Sequence, residues 1–353
     1  MKGNALFFMH ARRSPRLFTR RERKAIKDMR DGFQTFGRLV MAFVLMNLSS
    51  VAYGGASMRA RPFVKWAGGK GQLLEQLDAL LPNDFAQRED IVYVEPFVGG
   101  AAMLFHVLAK YPNIKRAVIN DANLELVATY KTIKNKPEEL IGRLSKLQEE
   151  FGNCATEELR QGMYLKLRDK FNARKSDELE MSALFVFLNK TCFNGLYRVN
   201  SKGEFNVPFG KAKNPTICDA DNIRAVNKVL QKVTILNGDF EDVIEFVKNK
   251  AFFYFDPPYR PLTQSAAFTA YAKGGFDDAQ QRRLAQFCRK LDRAGHQWML
   301  SNSDPHNIDT GDDFFEELYQ GFDIKRVAAS RAINSKGDGR GKIAELAIRN
   351  YGE

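Results

Sequence analysis

The chain has 353 residues, of which 44% are apolar and 27% charged, and it contains no low-complexity segment or internal repeat. Its four cysteines and four histidines show neither CxxC nor HExxH spacing, which argues against a structural zinc site or a disulfide framework. The net charge of +12 is concentrated in residues 1–57, which carry 11 Lys/Arg against 3 Asp/Glu, so the overall charge does not identify a partner.

Residues 1–57 are a basic extension that precedes the enzyme-like sequence. Within them, RRERKAIKDMR is followed by the apolar run LVMAFVLMNL and then by small residues. The run lies too far from residue 1 for an ordinary signal peptide and is too short to span a bilayer. The extension is interpreted as sequence upstream of a start at Met58, as a basic helical appendage or as a membrane-surface helix, and it does not decide the function.

Beyond the extension, strand patterns alternate with helical ones. The strand patterns are IVYVEP (91–96), KRAVINDAN (115–123), VTILNGDF (233–240), AFFYFDPP (251–258), GHQWMLSNSD (295–304) and EELYQGFDIKRV (316–327). Helical patterns follow the first of these and fill residues 241–250. This alternation predicts an α/β fold with an open, largely parallel Rossmann-like sheet, in which ligands bind at the carboxyl ends of the strands.

Residues 131–232 interrupt this alternation and predict an inserted domain. Residues 137–188 have a helical composition, and LYRVN and EFNV, separated by Ser-Lys-Gly, predict a β-hairpin. From 183 to 215 the chain has five basic residues and one acidic residue interleaved with aromatics, which favours contact with nucleic acid. We therefore expect a catalytic domain made of 58–130 and 233–353, with a target-recognition domain at 131–232.

The sequence Asp256-Pro257-Pro258-Tyr259 follows the strand pattern 251–255 and is open to three interpretations. It could be an ordinary loop, or Asp256 could ligate a metal, although no companion ligands are evident nearby. Alternatively, Asp256 and the Pro257 carbonyl could accept the two hydrogens of an exocyclic amine, while Tyr259 stacks on the base. Proline fixes the acceptor geometry in advance, so a methyl group could pass to the amine by direct displacement.

This chemistry leaves the target base open between adenine N6 and cytosine N4. Cytosine C5 methylation needs a cysteine nucleophile, and no Pro-Cys pair occurs in the chain. A nucleoside donor site is indicated by the turn Glu95-Pro96-Phe97-Val98-Gly99-Gly100, where glycines allow close approach of the backbone. Asp121 ends the next strand pattern, where an acid can bind ribose hydroxyls or cap the following helix. Asp239 is open to the same two interpretations.

Residues 61–352 resemble the Dam-type branch of the prokaryotic and phage DNA adenine-N6 methyltransferases, which methylates GATC. The motifs that carry the resemblance are FVKWAGGK (63–70), VEPFVGGAAMLF (94–105), NDAN (120–123), FLNKTCFNGLYRVNSKGEFNVPFGK (187–211), YFDPPYRPLTQSAAFTAY (254–271), LSNSD (300–304) and RAINSKGDGRGKIAELAIRNY (331–351). The DPPY motif alone is shared with RNA and protein methylases, whereas the ordered set is specific. Residues 1–57 have no counterpart in this pattern.

The resemblance implies S-adenosylmethionine as the methyl donor, no metal, and double-stranded DNA as the partner. The implied donor-binding residues are Trp66, Lys70, Glu95, Pro96, Phe97, Gly99, Gly100, Asp121, Asp239, Phe240 and Asp256, and the implied catalytic residues are Asp256, Pro257 and Tyr259. A base inside a duplex is inaccessible, so the adenine must flip out of the helix.

For DNA binding the resemblance implies six residues: Lys65, Phe193, Asn194, Leu196, Arg198 and Pro208. Arg198 would read one guanine and Lys65 the other, although Arg198 could contact only phosphate and Lys65 could be merely solvated. Phe193, where the family often has tyrosine, would stack beside the flipped adenine or lie in the core.

Two competing functions stay open. The chain could methylate adenine N6 or cytosine N4 in another sequence or in RNA, or it could be a catalytically inactive DNA-binding relative; the intact DPPY motif, Trp66 and Lys70 argue against the latter. We expect a monomer without a membrane partner, acting at the nucleoid in the cytoplasm of a bacterial or phage-infected cell.

Overall fold

The computed structural model describes residues 59–261, 276–330 and 342–352. The extension 1–57, the catalytic-loop motif beyond Pro261 and residues 331–341 of the terminal motif lie outside the described residues. Contacts divide the chain into two units, Met1–Ser57 and Met58–Glu353.

Seven strands are found in the described part of the chain: β1 Val92–Glu95, β2 Arg116–Asp121, β3 Val233–Asn237, β4 Ala251–Phe255, β5 Gln297–Ser303, β6 Asp323–Ser330 and β7 Lys342–Arg349. The helices there are α1 Leu74–Asp78, α2 Ala102–Lys110, α3 Leu124–Asn135, α4 Pro137–Gly152, α5 Glu157–Asn172, α6 Glu178–Thr191, α7 Ala220–Leu230, α8 Asp278–Arg293 and α9 Phe314–Leu318. Short 3₁₀ turns cover Phe85–Gln87, Phe193–Gly195, Asp242–Phe246 and Pro305–Asn307. None of the described helices is long and apolar enough to cross a membrane.

The strands form one sheet in the order β3-β2-β1-β4-β5-β7-β6. Strands β1 to β5 run parallel, and β7 lies antiparallel between β5 and β6. This arrangement confirms the predicted α/β class with a largely parallel sheet. The chain runs outward from β1 to β3 and then returns to place β4 on the other side of β1, so a crevice forms between their carboxyl ends.

Both faces of the sheet are buried, which explains the nearly continuous apolar sequence of its central strands. In β4, Phe252 and Tyr254 pack with the core cluster that includes the inserted helices. Phe253 and Phe255 point to the opposite face, where they pack with residues of α8. The segment preceding Asp256 is therefore held rigidly from both sides.

The inserted region has the predicted helical composition, as α4, α5 and α6 cover most of residues 137–191. The predicted hairpin is also present, but it is irregular, with one isolated bridge between Val199 and Phe205 and a second between Cys192 and Phe209. Gly203 adopts a positive φ of 76° at its turn. A side chain also anchors the hairpin, because Asn172 accepts from the Phe205 N–H at 2.8 Å and donates to the Phe205 carbonyl at 3.0 Å.

Two sequence-based predictions about elements differ from the structure, and one strand was not predicted. Residues 241–250 form only the 3₁₀ turn Asp242–Phe246 instead of a helix, since the chain must enter β4 at Ala251. The pattern 316–327 begins with the end of α9, and its strand starts only at Asp323. Strand β7 was not predicted, because its Lys, Ala and Glu residues are depleted in strands, and pairing with β5 and β6 makes it one.

Candidate active site

The loop after β1 is shaped around Gly99. Its φ is +46°, and a Cβ at this position would lie 2.7 Å from Cδ1 of Trp66, so only glycine fits without displacement. The N–H of Gly99 donates to Oδ2 of Asp121 at 3.0 Å, and the Tyr130 hydroxyl donates to the Gly99 carbonyl at 2.8 Å. The structure thus brings Trp66, Gly99 and Asp121 together, although they come from three separate motifs.

Asp121 is the last residue of β2, and it does not cap the following helix. Asn123 is the N-cap of α3, since its side chain accepts from the N–H of Leu126 at 2.8 Å. The helix-cap interpretation of Asp121 is therefore wrong. Burial raises the pKa of the Asp121 carboxyl, although the N–H groups of Asn123 and Gly99 act in the opposite direction.

Asp256 follows β4 and forms an ion pair with Lys70. Its Oδ1 lies 2.7 Å from Nζ of Lys70, whose side chain is only 4% exposed. Nζ also donates to the Gly68 carbonyl at 2.8 Å and lies 4.5 Å from the centroid of the Tyr259 ring. The Tyr259 hydroxyl donates to Glu345 on β7. Lys70 therefore joins the first motif of the enzyme-like sequence to the DPPY loop.

Among the described residues of the crevice, carboxyl groups outnumber cations. Burial raises the pKa of Asp256 to about 6, the charge of Lys70 opposes this shift, and Glu345 adds to it. Burial also raises the pKa of Glu95 to about 8, against the hydrogen bond from Tyr93, with a further rise from the charge of Asp256. Since the folded chain keeps Glu95 protonated up to about pH 8 whereas the unfolded chain ionises it near 4.5, the buried carboxyl costs folding stability as the pH rises between these values. A bound cation would remove that cost.

The loop after β3 lies beside the loop after β1. The side-chain amide of Asn120 donates to the carbonyls of Pro96 and Gly238, at 3.1 Å each. Phe240 is buried, with its ring centroid 5.2 Å from that of Phe97. Asn120 was not among the predicted site residues, although it stands next to Asp121 at a strand end.

Asp239 is held by an arginine on α8. The guanidinium of Arg283 donates to both of its carboxylate oxygens and lies 4.5 Å from the ring centroid of Phe240. The guanidinium lowers the pKa of Asp239, so this carboxylate stays ionised in the neutral range. Asp239 and Phe240 are therefore positioned together at the end of β3.

The DPPY loop is supported by residues outside the predicted set. Gln281 donates to the Pro258 carbonyl at 3.1 Å, and the Arg260 N–H donates to Oδ1 of Asn302 at 3.1 Å. The Arg260 guanidinium forms ion pairs with Asp278 and Asp312. No described residue donates a hydrogen bond to the carbonyl of Pro257. That acceptor is accordingly unused within the described residues.

The side chains predicted to bind DNA lie at the surface. Phe193 is 50% exposed and Leu196 is 40% exposed, so neither belongs to the core, and the core interpretation of Phe193 is wrong. Lys65, Asn194, Arg198 and Pro208 are also exposed. The Phe193 N–H donates to the Pro208 carbonyl at 2.9 Å, which joins the two arms of the hairpin region.

Arg198 is oriented by a residue on the opposite arm of the hairpin. Its Nε donates to Oδ1 of Asn206 at 2.8 Å, and Nη2 donates to the Asn206 carbonyl at 3.2 Å. Its Nη1 donates to no described residue. A guanidinium held in this way keeps donors available for an external acceptor.

Among the described residues, one group of side chains could ligate a metal ion: His306, Asp313 and Glu316. These residues are not among those described above for the crevice. Arg326 already interacts with this cluster, because its Nη2 lies 2.9 Å from Nδ1 of His306 and also donates to Glu316. This cation offsets part of the negative charge of the cluster.

A sequence model of the family described as D12 class N6 adenine-specific DNA methyltransferase matches residues 66–333, which include the crevice, the hairpin and the DPPY loop. The chain belongs to this family. This adenine methyltransferase is 51% identical over 297 residues to the Type II methyltransferase M.MjaIII of Methanocaldococcus jannaschii, covering 83% of this chain and 100% of that protein.

Two further relatives align with similar shares of this chain. The Type II methyltransferase M1.LlaDCHI of Lactococcus lactis subsp. cremoris is 39% identical, covering 83% of this chain and 96% of that protein. The DNA adenine methylase of Escherichia coli (strain K12) is 32% identical, covering 81% of this chain and 94% of that protein. The family establishes an adenine-specific DNA methyltransferase, whereas its target sequence stays a prediction.

Proposed function

We propose that this methyltransferase transfers a methyl group from S-adenosylmethionine to N6 of a flipped-out adenine in duplex DNA, within GATC. The observation that carries the proposal is the crevice between β1 and β4. There, Asp256 is ion-paired with Lys70, and the Pro257 carbonyl accepts no hydrogen bond from the described residues.

The donor fits the charge and shape of this crevice. When bound, S-adenosylmethionine supplies an electrophilic methyl group on a positively charged sulfur. Asp256 offsets that charge, Glu95 does so once it is ionised, and Gly99 lets the Trp66 ring lie against the loop after β1. Asp121 is assigned to ribose hydroxyls, and Trp66 and Lys70 complete the donor set. Pro96, Phe97, Gly100, Asp239 and Phe240 line the same side of the site in this assignment.

The catalytic assignment uses two acceptors and one ring. The adenine amine is a weak nucleophile because its lone pair is delocalised into the base. Asp256 and the Pro257 carbonyl each accept one amine hydrogen, which directs the lone pair towards the methyl group. Lys70 lies over one face of Tyr259, and we assign the other face to the adenine. Direct displacement needs no covalent intermediate on the enzyme.

Target recognition is assigned to the exposed residues of the hairpin region and to Lys65, which makes residues 131–232 the target-recognition domain. Arg198 offers Nη donors to O6 and N7 of one guanine, a contact worth about 1–3 kcal/mol of discrimination. Lys65 reads the second guanine. The exposed ring of Phe193 stacks where the adenine leaves the duplex, beside Asn194, Leu196 and Pro208.

The test measures transfer of labelled methyl groups by the full chain to duplexes that differ only in the target. We expect transfer to the adenine of GATC, none to GTTC or GACC, and about 5- to 150-fold slower transfer to AATC, which lacks one guanine. The Asp256→Asn variant should bind the GATC duplex with unchanged Kd but transfer no methyl groups. Equal transfer to GATC and AATC would reject the assignments of Arg198 and Lys65, and transfer by the variant would reject the catalytic assignment.

A further inference from the structure

Asn189, near the end of α6, connects two segments that are distant in sequence. Its side chain is 3% exposed and makes three hydrogen bonds. Oδ1 accepts from the Lys65 N–H at 2.8 Å, and Nδ2 donates to the carbonyls of Lys65 and Gly195, at 2.8 Å and 2.9 Å. One buried amide thus holds the backbone of Lys65 and the turn at residues 193–195.

The two segments are also in direct contact. Gly195 has a φ of +65°, and a Cβ there would lie 2.5 Å from Cβ of Lys65, so the backbone of the turn rests on the Lys65 side chain. The chain then leaves the turn extended, with Leu196 at φ −70° and ψ 148°, and reaches Arg198 three residues after Gly195. The position of Gly195 therefore determines where the first arm of the hairpin begins.

We propose that Asn189 is a positioning residue for target recognition, which sets the spacing between Lys65 and the hairpin arm that carries Arg198. The inference rests on the proposed function, in which these two residues read the two guanines of GATC. Asn189 is buried and touches no DNA itself. Without the Asn189 side-chain amide, no described side chain holds the Lys65 backbone and the turn at 193–195 together. The distance between Lys65 and Arg198 is then no longer fixed.

Asn222 provides a matched control, because it holds the backbone of Arg61 on the same segment as Lys65. Asn222 is 1% exposed, its Oδ1 accepts from the Arg61 N–H at 3.0 Å, and its Nδ2 donates to the Arg61 carbonyl at 3.0 Å. It makes the same pair of backbone hydrogen bonds as Asn189, four residues earlier along the segment, but none to the turn at 193–195. Replacing Asn222 therefore tests for general loosening of the segment.

One duplex can report discrimination at both guanines. Replacing one G·C pair of GATC by A·T leaves AATC on one strand and GATT on the other. Methyl transfer is measured on each strand and compared with transfer to GATC. The two ratios give the discrimination at each guanine separately. Wild-type discrimination should be about 5- to 150-fold on each strand, the range expected for a good contact to guanine.

The experiment compares full-length wild type with Asn189→Ala, Gly195→Ala and Asn222→Ala. We expect discrimination on both strands to fall below about fivefold in the first two variants, with kcat on GATC retained, and to stay at the wild-type level in the third. Gly195→Ala separates the same two segments by steric contact without removing the amide, so the test does not depend on one variant folding.

Three results would separate the possible failures. If wild type does not discriminate on either strand, the proposed function fails before the inference is tested. If wild type discriminates and both Asn189→Ala and Gly195→Ala discriminate equally well, the positioning role is wrong. If Asn222→Ala loses discrimination as much as Asn189→Ala, general loosening explains the effect, and the inference is overturned.

Discussion

At the scale of single residues, the ion pair between Lys70 and Asp256 determines the charge state of the crevice. Asp256 is only 22% exposed, and its carboxylate lies near those of Glu95 and Glu345. A buried carboxylate surrounded by other carboxylates tends to take up a proton, and the lysine counters that tendency. The proposed role of Asp256 as an acceptor for an amine hydrogen requires the ionised form.

This requirement predicts a pH dependence that Lys70 controls. Because the pKa of Asp256 is about 6, kcat/KM for the donor should fall as the pH drops below about 6. Lys70→Met removes the positive charge that lowers this pKa, so the acidic limb should move up by about one pH unit or more. Lys70→Arg keeps the charge and serves as the control.

The midpoint of the acidic limb in the pH profile of kcat/KM distinguishes a change in the pKa of Asp256 from weaker donor binding. A loss of contact to the donor lowers kcat/KM equally at every pH and leaves the midpoint in place. An unchanged midpoint in Lys70→Met would therefore show that Asp256 is not the titrating group.

At the scale of elements, the site is a set of turns that follow parallel strands. The turns after β1, β2, β3 and β4 meet at one edge of the sheet because the strands run in the same direction. Side chains from β2, α8 and β5 then tie these turns together, as Asn120, Gln281 and Asn302 do. In the turn after β1, Gly99 allows the Trp66 side chain to lie against the backbone.

Gly99→Ala should disable donor binding while leaving the sheet intact. Its Cβ would lie 2.7 Å from Trp66, and its φ of +46° costs a non-glycine residue about 1–2 kcal/mol. We expect kcat/KM for the donor to fall about tenfold or more, with the loss mainly in KM. Steady-state kinetics with varied donor would measure it.

The control for this variant is Gly71→Ala. A Cβ on Gly71 would meet no atom within 4 Å, and Gly71 has no positive φ. Its kinetics should stay within about twofold of wild type. Wild-type kinetics in Gly99→Ala would mean that the loop after β1 tolerates a side chain and that Trp66 is not held against it.

At the scale of the whole molecule, the excess of basic residues and the assigned site residues lie in different parts of the chain. Residues 1–57 carry 11 Lys/Arg against 3 Asp/Glu, whereas every assigned site residue lies after Met58. The contacts likewise separate Met1–Ser57 from Met58–Glu353. Specific chemistry and non-specific electrostatic attraction to DNA are therefore expected to be separable.

A chain that begins at Met58 should keep its transfer rate and its discrimination between targets. It should bind non-target DNA more weakly than the full chain at low salt, and the difference should disappear as salt rises, because it depends on counterion release. Binding of a duplex without GATC, measured over a salt series beside transfer assays, would check both statements. Loss of transfer in the shorter chain would show that the extension takes part in catalysis or folding.

The amino-acid sequence by itself determined the fold class, the ends of the parallel strands β1 to β5 and the residues that follow them. Apolar runs that stop at Asp256 and Asp121 are local signals, and the strands do end there. The hairpin could be predicted as well, since turn residues and alternation are also local, whereas the sequence left open whether Phe193 is exposed or lies in the core. Such signals depend only on neighbouring residues, which is why they can be read without a structure.

Only the tertiary structure decided which distant residues meet. The pairs Lys70–Asp256 and Arg260–Asp312, the bridge made by Asn189 and the position of β7 all join segments far apart in sequence. Each depends on the order of strands in the sheet and on how side chains pack across it. No local pattern encodes that order, so a lysine, an arginine or an asparagine looks the same in sequence whether it is solvated or holds a site together.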